Sequence, residues 1–214
     1  MSAERPHRKL EGRVVIATHN AGKLREMREL LEPYGVALVS AGELGLPEPE
    51  ETGTTFLANA EIKARAAAEA TGLPAFADDS GLCVDALGGE PGVTSARFAK
   101  DAGDFPAAMA LIEAMLTERG AREAAQRRAH FVSALAVAWP DGHLELFEGK
   151  VFGVIDRPRG AAGFGYDPFF LPDDHTRTFG EMTSQEKHGI PADGSQALSH
   201  RARAFQMLAR ACLG

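Results

Sequence analysis

Five short clusters hold the residues whose types and spacing can do chemistry. The first, Thr18-His19-Asn20-Ala21-Gly22-Lys23, stands between an apolar, β-rich run and a helical pattern. Free N–H groups and the positive dipole end at a helix start suit a phosphate, and Lys23 adds a full charge in the first turn. The spacing is not that of a Walker loop, and the same residues also describe an ordinary capped helix with a surface lysine. The second cluster joins Glu51 to Asn59 and Lys63. Asn59 and Lys63 are four apart and share one helix face. Their neighbours there are Ala60, Ala66 and Ala67, so Lys63 has no carboxylate partner within its own helix. Such a face either binds an anion or is solvated.

The third cluster is Asp78-Asp79-Ser80-Gly81, at the end of an apolar strand. Adjacent carboxylates repel each other and are costly to bury. Strand alternation sends the two side chains to opposite sides, and a divalent cation beside one would offset the cost. The competing reading is a tight acidic turn. The fourth, Gly163-Phe164-Gly165-Tyr166-Asp167-Pro168-Phe169, combines glycines that let backbone approach a ligand with aromatics that stack on a base or fill a core. The fifth is Ser199-His200-Arg201 at the start of the final helix, with Lys187 upstream. A histidine there caps a helix or lies on the surface more often than it catalyses. His7, His130, His143, His175 and His188 form no metal-ligand spacing.

The elements that must position these clusters read as an alternation of strands and helices. Arg13–Thr18 is a strand, Asn20 an N-cap, and Leu24, Met27, Leu30 and Leu31 mark a helix that Pro33 and Gly35 stop. Val36–Val39 is a second strand, and residues 42–54 form a loop. Thr54 or Thr55 caps an Ala-rich helix running to Gly72. Ala75–Ala77 is a short strand and Leu82–Leu87 a candidate further one. Asp104 caps a helix closed by Gly120. Phe131–Trp139 and Leu144–Ile155 flank the turn Pro140-Asp141-Gly142 and predict a long hairpin. The last helix covers about 197–212. This pattern predicts an α/β protein with a mixed sheet. Residues 1–11 are expected to be a disordered tail, and 12–214 a single domain.

Composition narrows the function classes. The 214 residues carry 30 acidic and 23 Lys or Arg side chains, a net charge of −7. That balance argues against nucleic-acid binding through a basic face. The longest unbroken apolar runs are six residues, against the roughly 20 of a membrane span. Val14–Ala17 is too short for a secretory signal core. Cys83 and Cys212 make neither a disulfide framework nor a ligand spacing, so a cytoplasmic location is expected.

In this order the clusters resemble the RdgB-type inosine/xanthosine triphosphate pyrophosphatase family. The motifs are Thr18-x-Asn20-x-x-Lys23; Glu51-Thr52-Gly53 with Asn59-Ala60 and Lys63-Ala64; Ala77-Asp78-Asp79-Ser80-Gly81-Leu82; Leu87-Gly88-Gly89-x-Pro91-Gly92 with Ser95-Ala96-Arg97; Gly163-Phe164-Gly165-Tyr166-Asp167-Pro168; and Ser199-His200-Arg201. The resemblance implies two α/β lobes around a long mixed β-sheet, the ITPase-like, Maf-related fold, with the active site in a central cleft. It implies a Mg2+-dependent homodimer that converts a purine nucleoside triphosphate (ITP, dITP or XTP) to monophosphate and pyrophosphate, with no nucleic-acid or membrane partner. By the same carry-over, Thr18, His19, Asn20, Ala21, Gly22 and Lys23 hold the phosphates. Lys63 assists and Asn59 contacts substrate. Glu51 and Asp79 serve the metal, Asp79 also being the proton acceptor, and Ser80 contacts substrate. Phe164, Gly165, Tyr166, Asp167, Lys187, His200 and Arg201 surround base and sugar.

Two rivals differ in class: a Maf-like pyrophosphatase for pyrimidine or modified nucleotides, and a non-catalytic nucleotide sensor. The Phe-Gly-Tyr-Asp and Ser-His-Arg motifs speak against the first. The presence of both Glu51 and Asp79 speaks against the second. One departure from the family pattern stands out. Eleven residues, His188–Leu198, separate Lys187 from Ser199 where family members have a few. They read either as a flap near the nucleotide or as a passive surface insertion.

Overall fold

The computed structural model describes residues 7–214. Strands β1 (Arg13–Ile16), β2 (Ala37–Ser40), β3 (Ala75–Val84), β4 (Arg128–Ala138), β5 (Leu144–Ile155) and β6 (Phe170–Pro172) form one sheet in the order β2-β1-β3-β4-β5-β6. The helices are α1 (Ala21–Leu31), α2 (Phe56–Thr71), α3 (Ser95–Ala102), α4 (Phe105–Glu118), α5 (Ser184–His188) and α6 (His200–Leu208). β1 pairs in parallel with β2 on one side and with β3 on the other, in register Val15–Ala75 and Ile16–Phe76. β5 and β6 are antiparallel. The expected mixed α/β sheet is therefore present.

Local chemistry explains the first elements. The Asn20 side chain accepts from the Lys23 N–H at 3.0 Å and so caps α1. Thr55, not Thr54, caps α2, accepting from Ala58 N–H at 3.1 Å. Gly72 ends that helix in the left-handed region at φ 66°. Asp104 caps α4 through Ala107 N–H. Between β4 and β5, Gly142 N–H donates to Trp139 O and Trp139 N–H to His143 O, which closes the expected turn.

Two expectations are corrected. Asp78-Asp79-Ser80-Gly81 is neither a turn nor the end of a strand: β3 runs unbroken through it from Ala75 to Val84. The short strand and the first part of its candidate successor are one element, because the two carboxylates find lysine partners and need not escape to solvent; Asp85–Leu87 is a 3-10 turn instead. The helix α3 was not expected. Ser95 starts it, buried, with its hydroxyl accepting from Leu82 N–H at 2.9 Å and donating to Gly92 O at 2.6 Å. These bonds span up to 13 positions, beyond what periodicity shows.

The chain divides into two compact units. One comprises Met1–Asp79, Ala134–Glu148 and Arg203–Gly214; the other Ser80–Ser133 and Gly149–Ala202. Each has its own apolar core. In the first, Val14 and Ile16 pack with Met27, Leu31, Phe76 and Phe205. In the second, Leu82 and Val84 pack with Ile112, Leu116, Phe131 and Phe170. The first six residues of the expected 1–11 tail lie outside the described residues. Within the rest, Leu10 is buried and its N–H donates to Cys212 O at 2.7 Å, while His7 Nδ1 lies 2.8 Å from Glu145. Burial of Leu10 ties this stretch down. Among the described residues no helix is long and apolar enough to cross a membrane. Cys83 and Cys212 are both buried free thiols. Burial is the main cause that pushes the Cys212 thiol up to about 12.

Candidate active site

In the first unit the chain leaves β1 toward β2 on one side, while β3 lies on the other. The carboxyl ends of such diverging parallel strands form the position where open α/β sheets bind ligands. Thr18–Lys23 follows β1 there, and β3 carries Asp78 and Asp79 to the same place. Thr18 Oγ1 accepts from Asn20 N–H at 3.2 Å, and His19 Nε2 lies 2.9 Å from Leu46 O. His19 to Ala21 are exposed, and Gly22 and Lys23 half-buried. The start of α1 is thus open to a ligand.

The lysines find their partners outside their own helices. Lys63 is not an unpaired ammonium on α2. Its Nζ lies 2.7 Å from Glu51 Oε1 and 2.8 Å from Asp79 Oδ1, and donates to Asp78 O at 3.0 Å. Lys23 Nζ pairs with Asp78 Oδ2 at 3.0 Å. Asn59 stands behind the cluster. Its Nδ2 reaches Asp79 Oδ2 at 3.5 Å, and its Oδ1 accepts from Gly53 N–H at 2.8 Å, which holds the Glu51 loop against α2. A Cβ at Gly53 would lie 2.5 Å from Asn59 Oδ1, so only glycine permits that approach. Asp78, given no role from the sequence, is the anchor of Lys23. Side-chain alternation does direct the two carboxylates differently, but each meets a lysine.

Burial sets the electrostatics. Asp79 is held above the ordinary carboxylate range, chiefly by burial and further by Glu51, with Lys63 and Lys23 pulling the other way. Burial works against the charge on Lys63, but Asp79 and Glu51 outweigh it and raise its affinity for the proton. Buried ion pairs contribute little net stability, so five charges collected here point to chemistry more than to folding. Among the described residues no three His, Cys, Asp or Glu groups stand together as a metal cage. Two carboxylate oxygens converging on one cationic point suit a hard divalent cation that completes its shell with water and phosphate oxygens.

The second unit holds the other clusters. Phe164 is half-buried, whereas Tyr166 is buried in the core with its hydroxyl donating to Ser95 O at 3.0 Å. Phe164 is therefore the aromatic left to meet a ligand, and Tyr166 is not. Asp167 is buried, accepts from Phe164 N–H at 3.1 Å and pairs with Lys187 Nζ at 2.7 Å. Arg201 donates to Ser80 Oγ at 3.0 Å, and its guanidinium lies 5.8 Å from the Phe164 ring centroid. His200 is neither a cap nor a surface residue. It is buried and stacked on Phe131, with ring centroids 4.8 Å apart and planes 15° from parallel. The cap of α6 is Ser199, which accepts from Ala202 N–H at 3.1 Å.

Gly163 has φ +78°, and a Cβ there would overlap Asp167 Oδ2 and Lys187 Nζ. Gly163→Ala is expected to displace that ion pair and cost about 1–3 kcal/mol from overpacking. Thermal unfolding checks this, and an unchanged midpoint would refute it. The eleven-residue departure His188–Leu198 leaves and returns at one point. Ser199 N–H donates to Lys187 O at 3.0 Å, and His188 Nδ1 lies 2.8 Å from Ser199 Oγ. Ile190 and residues 192–196 are exposed. Shortening the loop within 190–196 is thus expected to leave the Michaelis constant unchanged, because Lys187 and Arg201 keep their places. A several-fold rise would revive the flap reading.

Comparisons with known proteins give the family. The model of the Ham1 family matches residues 14–211. The chain belongs to the Ham1 family. A protein of Bradyrhizobium sp. named dITP/XTP pyrophosphatase is 67% identical, the alignment covering 97% of each chain. One of the same name from Rhodopseudomonas palustris is 65% identical over 97% of this chain and 99% of its own. Among solved structures, a HAM1 protein from Coxiella burnetii is 38% identical with a TM-score of 0.80, over 92% of this chain and 96% of that one. The family resemblance carried by the ordered motifs is borne out, and with it the α/β fold.

Proposed function

We propose that this member of the Ham1 family hydrolyses purine nucleoside triphosphates with a non-standard base (ITP, dITP and XTP) to the monophosphate and pyrophosphate, and so cleanses the nucleotide pool. The observation that carries the reading is the pairing of Lys63 with Glu51 and Asp79, and of Lys23 with Asp78, where β3 runs past the end of β1. The names of the close relatives support it.

The residues divide the work. Thr18 to Lys23 receive the phosphates on the free N–H groups and dipole of α1. Lys23 and Lys63 counter the charge that develops on the triphosphate. Asp79 orients the attacking water and accepts its proton. Glu51 and Asp79 would hold a divalent cation, Mg2+, which when bound neutralises phosphate charge. In the second unit, Phe164 offers a stacking face for a base and Arg201 a set of hydrogen-bond donors, with His200, Asp167 and Lys187 supporting them. No covalent nucleophile is required.

The test is pyrophosphate release, with and without Mg2+, across ITP, dITP, XTP, GTP, ATP and the pyrimidine triphosphates. Fast release from the first three and slow release from the rest is expected. A pyrimidine preference would favour the Maf-like alternative, binding without turnover would favour a sensor, and liberation of orthophosphate would refute the reaction.

A further inference from the structure

We propose that Lys63 is a resident counter-ion of the cation site: in the nucleotide-free protein its ammonium holds Glu51 and Asp79, keeps free divalent cations out, and yields only when a cation arrives together with a triphosphate. The inference rests on the reading of Glu51 and Asp79 as the cation-binding carboxylates.

Three observations carry it. An ammonium has three N–H donors, and Lys63 Nζ meets three acceptors: Glu51 Oε1 at 2.7 Å, Asp79 Oδ1 at 2.8 Å and Asp78 O at 3.0 Å. The ammonium is therefore saturated at the point on which the two carboxylates converge. The Lys63 side chain is only 7% exposed, as is that of Asp79, so water does little to weaken the attraction. Among the described residues, no third carboxylate or imidazole joins these two to make a cage of three. A free cation must evict the ammonium in exchange for two carboxylates and the Asp78 carbonyl. A cation carried by a triphosphate brings its own oxygen ligands, and the same phosphates offer the displaced ammonium new acceptors. The lysine stem is flexible enough to follow them.

The consequence is an order of events. The nucleotide-free protein has low affinity for divalent cations, and nucleotide and metal bind as a unit. Lys63→Met removes the charge and keeps the apolar stem. Isothermal titration of the nucleotide-free protein with MnCl2 or MgCl2 is expected to show binding at least about tenfold tighter in Lys63→Met than in wild type, equivalent to about 1.4 kcal/mol. The variant's unfolding temperature is expected to climb with added Mg2+ more than that of wild type. Lys63→Gln repeats the measurement should Lys63→Met fail to fold. Equal or weaker affinity in the variants overturns the proposal. A third arm separates this failure from that of the site reading: Mn2+ titrated into wild type with a non-hydrolysable imido-triphosphate analogue. Binding there, with no gain in the variants, removes the counter-ion role alone. Absence of binding in every arm removes the cation site and the proposal with it.

Discussion

Asp79→Asn is expected to lower turnover of ITP by about 10²–10⁴-fold, the usual loss for removing an acid–base group, with loss of a cation ligand adding to it. The substitution keeps the shape of the side chain in the middle of β3 and removes its charge. Lys63 retains Glu51 and the Asp78 carbonyl as acceptors, so the folded state has no orphaned ammonium and the unfolding temperature should move little. Activity and unfolding measured on one preparation separate the two effects. Turnover within tenfold of wild type would show that Asp79 is neither base nor cation ligand. Chelation with EDTA is the companion measurement. It should silence the wild-type enzyme, and an untouched rate would remove the metal from the mechanism.

Arg201→Ala is expected to collapse base selectivity. A 6-oxo purine offers an acceptor where adenine offers an amino donor, and a guanidinium is a donor only. Sites built on such a hydrogen bond reject the wrong partner by up to about 10⁴-fold. The ratio of ITP to ATP turnover should therefore fall steeply in Arg201→Ala, whereas Phe164→Ala should weaken both substrates alike, since stacking is indifferent to base identity. Ser80 enters here as the residue that holds the guanidinium, through its 3.0 Å hydrogen bond. An equal slowing of ITP and ATP in Arg201→Ala would make Arg201 a structural residue and pass base reading to the backbone of Phe164–Asp167.

What the sequence alone carries divides along a physical line. The caps Asn20, Thr55 and Asp104 are local, each bonding an N–H three residues ahead. Residue type and spacing suffice for Asn20 and Asp104 and for the α/β alternation, and narrow the remaining cap to Thr54 or Thr55. The motifs in their order were enough to place the chain in its family. Lys63 was different. Seen only on its helix it lacked a carboxylate, because its partners stand 12 and 16 positions away. The acidic pair reads as the end of a strand for the same reason: a strand that continues through two buried carboxylates looks implausible until the lysines that compensate them are known.

Sequence by itself determined that Asn20 caps a helix with Lys23 in its first turn, the identity of the candidate acid, base and cationic groups, and the absence of a cysteine framework. These follow from side-chain chemistry and near-neighbour geometry. Only the tertiary structure decided that Lys63 bridges Glu51 and Asp79, that Tyr166 fills the core while Phe164 stays accessible, that His200 is stacked out of solvent, and that Lys187 keeps its place beside Asp167 despite the inserted loop. Arg201 and Ser80 lie 121 positions apart. Contacts of that kind are set by where the sheet brings distant strands and helices, and no periodicity along the chain encodes them.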